Sequence, residues 1–270
     1  MSNTISFMTA NYVARQVGYQ MHGWGHGDKA TNEYFRPVET YAPRLNELLR
    51  DIRALGFDAI DLWLSHLNFT WATDEHVQIA RELLTKQHLR VVSLAGWFGS
   101  NREEFEMSCK LATALGTKIL GGSTSFLQKD RGTAIALLQE YDLKLGLENH
   151  PEKNPQELLA KIGDGGEGTL GATVDTGWFG TQGYDATRAL DELRDVLFHV
   201  HLKDVLHAGE PHDTCRYGQG VVPIEACVET LKRIGYAGAI SIEHEPEHYD
   251  PSEEVRAGAE MVRGWMKDEG

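Results

Sequence analysis

The sequence alternates short apolar runs with helical stretches eight times, and this alternation limits the folds that the chain can adopt. Eight runs read as β-strands, at residues 17–22, 57–64, 90–96, 117–122, 143–149, 170–175, 196–203 and 238–244. Strands that alternate with helices indicate a parallel sheet with covered faces. Eight such units within 270 residues match the count and size of a closed barrel. We therefore predict an α/β fold, a single (β/α)8 TIM barrel that spans residues 1–270 as one domain.

The stretches between these runs have the sequence features of helices. Residues 44–55 and 224–234 each place apolar side chains on one helical stripe. Gly56, Gly116 and Gly235 follow the last apolar position of such stretches, where helices commonly end. An open doubly wound sheet is the alternative to a barrel. No G-x-G-x-x-G motif follows the first predicted strand, which disfavours the dinucleotide-binding form of that sheet.

The charge and hydropathy of the chain argue against several classes of partner. The chain has 40 acidic and 26 basic residues, for a net charge of −14. Binding to nucleic acid or to an anionic membrane surface depends on Lys and Arg, so we expect neither partner. No apolar run approaches the roughly 18 residues that a transmembrane helix needs.

The N-terminus and the cysteines favour a cytoplasmic location. The first 16 residues lack a charged segment followed by an apolar one, so they do not read as a signal peptide. Cys109, Cys215 and Cys227 are odd in number and have no C-x-x-C spacing. This pattern is typical of reduced thiols, and we predict a cytoplasmic protein.

Polar residues recur at alternate positions of the last four predicted strands. In a barrel, alternate residues of each strand face the axis, and active sites lie at the carboxyl ends of the strands. This parity turns inward Gly146, Glu148 and His150 in strand five, Thr173 and Asp175 in strand six, His199, His201 and Lys203 in strand seven, and Ser241, Glu243 and Glu245 in strand eight. Four successive strands therefore direct polar groups to the barrel mouth at a similar height.

This convergence predicts a metal site. Carboxylates that meet without a counter-charge repel one another, and a divalent cation removes that repulsion. Three carboxylates with one imidazole form a hard, oxygen-rich set, which suits Mn²⁺, Mg²⁺ or Co²⁺ better than a thiolate-rich zinc site would. We expect one divalent metal ion, with Mn²⁺ as the first choice and Mg²⁺ or Co²⁺ as substitutes. Four protein ligands would leave two positions for vicinal oxygens of a substrate.

Four motifs at these strand ends, GLENHP, VDTGW, HVHLKD and SIEHE, resemble those of the xylose-isomerase-like TIM-barrel superfamily in order and position. That superfamily includes ketose 3-epimerases, hydroxypyruvate isomerases, inosose isomerases and dehydratases, and apurinic endonucleases. The resemblance covers essentially the whole chain and is clearest over residues 143–245. It implies that the metal ligands are Glu148, Asp175, His201 and Glu243.

The resemblance also implies an isomerase or epimerase of a small sugar, keto-sugar or cyclitol. Chelation of a carbonyl and its neighbouring hydroxyl acidifies the adjoining carbon. Glu148 and Glu243, on opposite faces of the sugar, would exchange protons with it through an enediolate. His150 is a further candidate acid or base. Lys203 and Arg216 are candidates for holding the ends of the substrate.

Residues of the first three predicted strands could complete the pocket. His22 would end strand one, and Trp97 after strand three could stack on a sugar ring. Asp61 and Trp63 on strand two are more simply explained as structural residues. Lys203 has a simpler explanation as well, a local salt bridge with Asp204.

Three other functions remain open. A metal-dependent lyase, such as an inosose dehydratase or an enzyme that eliminates an aglycone from a 3-keto-glycoside, would use the same ligands. A non-catalytic sugar-binding subunit would keep only the fold. An apurinic endonuclease is disfavoured, because Trp178 stands where such relatives place a ligand histidine and the loop HDTCRY only partly matches their pattern. The segment between strands four and five is short, so another subunit of a homo- or hetero-oligomer could complete the rim.

Overall fold

The computed structural model describes residues 3–267, and its centre is a closed barrel of eight parallel strands. The barrel strands are β1 (Ile5–Met8), β2 (Ala59–Trp63), β3 (Arg90–Trp97), β4 (Ile119–Ser123), β5 (Lys144–Glu148), β6 (Leu170–Asp175), β7 (Leu197–Leu202) and β8 (Ile240–Ile242). Each strand pairs with the next along the chain, and β8 pairs with β1 to close the barrel. The prediction of a (β/α)8 TIM barrel is confirmed.

Helices lie between the strands and pack on the outside of the barrel. They are α1 (Trp24–Phe35), α2 (Val38–Ala54), α3 (Asp74–Lys86), α4 (Arg102–Leu115), α5 (Phe126–Lys129), α6 (Arg131–Glu140), α7 (Pro155–Ile162), α8 (Thr176–Thr181), α9 (Ala186–Glu192), α10 (Ile224–Arg233) and α11 (Ser252–Trp265). The stripes predicted at 44–55 and 224–234 are buried on α2 and α10. Within residues 3–267, the structure shows no helix that combines the length and the apolar character needed to cross a membrane.

The first strand does not lie where the sequence predicted it. Val17 ends a short 3₁₀ helix, Arg15–Val17, and the residues after it form a turn in which Gly18 and Tyr19 both have positive φ values, 61° and 57°. Positive φ is incompatible with an extended strand. The strand is instead Ile5–Met8, buried throughout, and it pairs with both β2 and β8. His22 therefore lies in the segment between β1 and α1 and does not end a strand.

Two glycines make room for larger side chains in the barrel interior. A Cβ on Gly146 would stand 2.3 Å from Oγ1 of Thr173, and a Cβ on Gly121 would stand 3.2 Å from the same atom. The fold therefore requires the absence of a side chain at Gly146 in particular. Thr173 on β6 and His199 on β7, which are both buried, fill the space beside these glycines.

A two-stranded antiparallel ribbon follows β7 at its carboxyl end. It pairs residues Asp204–Val205 with Thr214–Cys215. The Asp204 carboxylate accepts hydrogen bonds from the backbone N–H groups of Val205, Gly218, Gly220 and Val222. Asp204 thus anchors the loop that contains HDTCRY, and the local salt bridge expected between Lys203 and Asp204 is absent from this part of the structure.

Candidate functional site

The four residues that sequence parity directed to the mouth come together there. Glu148 and Asp175 end β5 and β6, His201 lies within β7, and Glu243 directly follows β8. Nδ1 of His201 is 2.8 Å from Oε1 of Glu148 and 3.4 Å from Oε2 of Glu243. Candidate ligand atoms of Glu148, Asp175 and His201 all lie within 4.8 Å of one another. Such a group can hold a metal ion.

Asp61 also belongs to this site, although the sequence indicated only a structural role for it. Its Oδ2 accepts hydrogen bonds from Nε2 of His201 at 2.9 Å, from Nε2 of His199 at 2.7 Å and from the hydroxyl of Ser241 at 3.1 Å. Burial alone would raise the pKa of Asp61, but the two imidazoles outweigh burial and lower that pKa. The carboxylate therefore stays ionised. The sequence feature that could have indicated this role is that Asp61 is a charged residue at an inward-facing position of predicted strand two.

Asp61 determines how His201 presents its ring. Because Nε2 faces Asp61, Nδ1 is left to face the carboxylates of Glu148 and Glu243. A carboxylate behind one ring nitrogen, with the other nitrogen free for an ion, is the usual support of a metal-binding histidine. His199 lies deeper, 3.1 Å from the hydroxyl of Ser93, and has the contacts of a hydrogen-bonded core residue.

Lys203 supplies a positive charge among the carboxylates. Its Nζ is 3.0 Å from Oδ2 of Asp175, 3.1 Å from Oε1 of Glu243 and 3.0 Å from Oε2 of Glu245. Burial would lower the pKa of Lys203, but the three carboxylates outweigh burial and raise the pKa well above its ordinary value. The side chain is buried and charged, so it partly balances the acidic cluster.

Two carboxylate oxygens of this cluster are buried without a hydrogen bond: Oδ2 of Asp175, which has only its ionic contact with Lys203, and Oε2 of Glu243. The other Asp175 oxygen accepts the backbone N–H of Trp178 at 3.0 Å. Burial raises the pKa of Glu243 well above its ordinary value, against the opposing effect of Lys203. Buried oxygens that lack hydrogen bonds, in an oxygen-rich set, fit a divalent cation.

An aromatic stack borders the Asp175 side of the site. The Trp178 ring lies between His150, at 3.9 Å and 14°, and His212, at 3.8 Å and 9°. Nδ1 of His212 is 2.7 Å from the hydroxyl of Thr181, and its Nε2 is buried without a hydrogen bond. Burial and the nearby Lys203 lower the pKa of His212 to about 3, so the ring is neutral. Sequence reasoning missed His212, because HDTCRY was judged only as a partial match to a pattern.

The remaining candidates are exposed and belong to segments other than those of the four strand-end residues, Glu148, Asp175, His201 and Glu243. Exposed His22 stacks on His26 at 5.5 Å, exposed Trp97 ends β3, and exposed Arg216 follows the ribbon. Among residues 3–267, none of the three candidates forms a hydrogen bond or ion pair with the four strand-end residues. Trp63 packs in a small cluster of buried apolar residues from β1, β2, β3 and the segment after β1. Trp63 therefore has the contacts of a packing residue, as its sequence position suggested.

Comparisons with known proteins agree with this architecture. The family model for the xylose isomerase-like TIM barrel matches residues 49–267. An uncharacterized protein of Methanocaldococcus jannaschii is 32% identical over 119 residues, which are 41% of this chain and 40% of that protein. The match thus spans less than half of the curated relative.

Three solved structures share the fold across most of the chain. A D-tagatose 3-epimerase-like protein is 17% identical, with 98% of this chain and 97% of that chain covered and a TM-score of 0.69. A xylose isomerase-like TIM barrel protein from Mycobacterium smegmatis, in complex with magnesium, is 17% identical, with coverages of 85% and 89% and a TM-score of 0.67. A probable 3-DHS dehydratase from Bacillus anthracis is 14% identical, with coverages of 96% and 98% and a TM-score of 0.65.

Proposed function

The chain belongs to the xylose isomerase-like TIM barrel family, and on that premise we propose that it is a divalent-metal-dependent isomerase or epimerase of a small sugar, keto-sugar or cyclitol. The observation that carries the proposal is the convergence of Glu148, Asp175, His201 and Glu243 at the barrel mouth, with two buried carboxylate oxygens that lack hydrogen bonds. A likeness to an epimerase-like protein supports the reaction class. Fold alone does not determine function, so the site carries the argument.

The metal would be held by the four strand-end residues, with Mn²⁺ as the first choice. Nδ1 of His201 and the carboxylates of Glu148, Asp175 and Glu243 are the proposed ligands. When bound, a divalent cation would polarise a substrate carbonyl and hold the neighbouring hydroxyl. Asp61 would keep the His201 ring in the required orientation through its contact with Nε2.

Glu148 and Glu243 are the proposed acid and base. They contact the same nitrogen of His201 from different strands, so a substrate beside His201 lies within reach of both carboxylates. One glutamate takes the proton from the carbon next to the carbonyl, and the electron pair of that C–H bond forms the enediolate of the substrate. The same or the other glutamate returns a proton to yield an isomer or epimer. His150, beside Glu148, is a further proposed acid or base.

Four other residues are proposed to contact the substrate. Lys203 is buried among the carboxylates, where its ammonium group could also meet a substrate oxygen. Arg216, His22 and Trp97 are exposed and belong to segments that follow β7, β1 and β3. The segments that follow barrel strands form the mouth, so these three side chains are proposed as rim contacts.

Elimination is the second candidate reaction, and the likeness to a probable dehydratase supports it. The same proton removal by a glutamate would be followed by loss of the substituent on the next carbon. The electron pair of the enediolate then forms a C=C bond as the bond to the substituent breaks, and the leaving oxygen takes the proton from the protonated glutamate to give water or an aglycone. The four proposed ligands serve both reactions equally.

The first experiment measures metal content and solvent exchange. Purified protein should hold close to one equivalent of Mn²⁺, and less than a tenth of an equivalent without stabilisation by Mn²⁺ would overturn the proposal. Incubation with D-tagatose, D-allulose, a 3-keto-glucoside and an inosose in D₂O follows. An isomerase or epimerase introduces deuterium at the carbon next to the carbonyl, whereas a lyase releases water or aglycone and leaves an unsaturated product.

Variants then test the two glutamates. Glu148→Gln and Glu243→Gln should each abolish turnover, and bound Mn²⁺ is measured in each variant to separate loss of the ion from loss of proton transfer. Glu140→Gln, at the exposed end of α6, is the matched control and should retain full turnover. Full turnover in Glu148→Gln or Glu243→Gln would remove that residue from the acid–base role.

A further inference from the structure

We infer that His212 contacts the substrate, with Nε2 hydrogen-bonded to an uncharged oxygen of the substrate on the Asp175 side of the site. The inference rests on the proposed function and adds a residue to it. His212 lies in the irregular segment between the two ribbon strands, outside the barrel strands. The ring is nevertheless held firmly at the edge of the site.

Helix α8 fixes the position of His212 relative to Asp175. Asp175 caps the start of α8 by accepting the backbone N–H of Trp178 at 3.0 Å. The Trp178 ring covers one face of the His212 ring at 3.8 Å, and Thr181 at the end of α8 contacts Nδ1 at 2.7 Å. One short helix therefore sets both the plane and the rotation of the imidazole. Such pre-organisation is typical of groups that must meet a ligand with defined geometry.

Nε2 of His212 is a buried polar atom without a hydrogen bond, and Oδ2 of Asp175 has only its ionic contact with Lys203. The two residues interact electrostatically, and both also interact with Lys203. A buried nitrogen or oxygen without a partner is costly, and such atoms recur where a ligand completes the hydrogen bonding. A substrate oxygen on this side of the site could form a hydrogen bond with Nε2 of His212, and the carboxylate of Asp175 would bind the metal ion.

The geometry favours a substrate contact over a fifth metal ligand. Two groups of candidate ligand atoms lie within 4.8 Å of one another, Asp61 with His199 and His201 and Glu148 with Asp175 and His201, and neither includes His212. Glu243 is outside both groups as well, but its Oε2 is 3.4 Å from Nδ1 of His201, whereas among the described residues no hydrogen bond or ion pair joins His212 to a proposed ligand. The acidic surroundings disfavour an anionic group of the substrate at this place, and a neutral imidazole matches a hydroxyl or carbonyl oxygen. His212 would therefore face an uncharged oxygen of a polyol substrate.

His212→Phe provides the test, because phenylalanine keeps a ring to stack on Trp178 and removes both nitrogens. Calorimetry measures Mn²⁺ affinity, and turnover is measured on D-tagatose, D-allulose, a 3-keto-glucoside and an inosose. We expect Mn²⁺ affinity within twofold of the parent and kcat/KM lowered at least 30-fold. Thr181→Val, which removes the hydroxyl that orients Nδ1, should lower kcat/KM about fivefold with unchanged Mn²⁺ affinity. This second variant keeps the test valid if His212→Phe does not fold.

His207→Phe is the matched control, since His207 is exposed in the same segment. It should retain parental kcat/KM and Mn²⁺ affinity. A loss of Mn²⁺ affinity greater than tenfold in His212→Phe would make His212 a metal ligand and overturn the inference, as would unchanged kcat/KM in both His212→Phe and Thr181→Val. If the parent protein binds Mn²⁺ but neither binds nor converts these substrates, the proposed function fails together with this inference. If the parent protein converts one of these substrates and only the variants depart from the expected results, the role of His212 is overturned and the proposed function stands.

Discussion

Asp61 on β2 and His201 on β7 meet across the barrel interior, with Oδ2 of Asp61 2.9 Å from Nε2 of His201. The two strands are three positions apart around the closed barrel. The contact makes Nε2 the donor to Asp61 and leaves Nδ1 to face Glu148 and Glu243. A residue from the first quarter of the chain thus orients the only imidazole among the four proposed ligands.

Asp61→Asn should weaken Mn²⁺ binding by about 10- to 100-fold, because it removes the charge that supports the proposed His201 ligand. Isothermal titration calorimetry with Mn²⁺ measures the effect. Ser93→Ala is the control, since Ser93 contacts His199 and not His201. Equal Mn²⁺ affinity in Asp61→Asn and Ser93→Ala would show that the Asp61 contact does not support metal binding.

Binding of Mn²⁺ should release protons and strengthen as pH rises. Burial would lower the pKa of His201, but Glu243, Asp61 and Glu148 outweigh burial and raise it well above its ordinary value. The imidazole is therefore protonated near neutral pH without metal, whereas a ligand nitrogen must be deprotonated. Below that raised pKa, affinity should increase about tenfold per pH unit for each proton released. Calorimetry at pH 6.5 in two buffers of different ionisation enthalpy counts the protons, and a binding enthalpy independent of buffer would contradict the expectation.

The acidic half of the site was predictable from sequence because two regularities combine there. Side chains alternate across a strand, and the carboxyl ends of parallel strands meet at one end of a barrel. Parity in strands five to eight therefore placed Glu148, Asp175, His201 and Glu243 at one mouth, where the structure brings them together. Neither regularity depends on the details of packing.

The features that sequence reasoning missed depend on closure of the fold or on irregular backbone. Strand β1 is only four residues long, so the alternation of Ile5, Ser6 and Phe7 is too short to mark it as a strand. The inward position of Asp61 was visible, but its partner lies on β7 and is determined only when the barrel closes. His212 lies in a segment without periodicity, and its ring is positioned by stacking on Trp178 and by the Thr181 hydroxyl.

His66 should make the folded protein sensitive to acid. Burial lowers the pKa of His66 from 6.5 to about 3, so between these values the unfolded chain binds a proton that the folded chain does not. The free energy of unfolding then falls with falling pH, by up to about 1.4 kcal/mol per pH unit from this residue. Urea unfolding from pH 7 to pH 4.5 should show a shallower decline in His66→Gln than in the parent. His248→Gln, at an exposed position, is the control, and a decline in His66→Gln as steep as in His248→Gln would contradict the role of His66.

Lys203→Met should make stability depend strongly on metal. Lys203 is the ammonium group among Asp175, Glu243 and Glu245, and its removal leaves buried carboxylates without a counter-charge. Loss of one partner from a buried ion pair costs about 3–5 kcal/mol, which we expect as a lower free energy of unfolding in EDTA.

Saturating Mn²⁺ should restore much of that loss, because a divalent cation supplies the missing positive charge to the same carboxylates. Thermal unfolding with EDTA and with Mn²⁺ measures the difference, and Mn²⁺ should raise Tm more in Lys203→Met than in the parent. Lys118→Met removes an exposed partner of Asp142 and should leave both Tm values unchanged. An equal Mn²⁺ response in Lys203→Met and the parent would mean that the ion does not bind among the carboxylates that Lys203 neutralises.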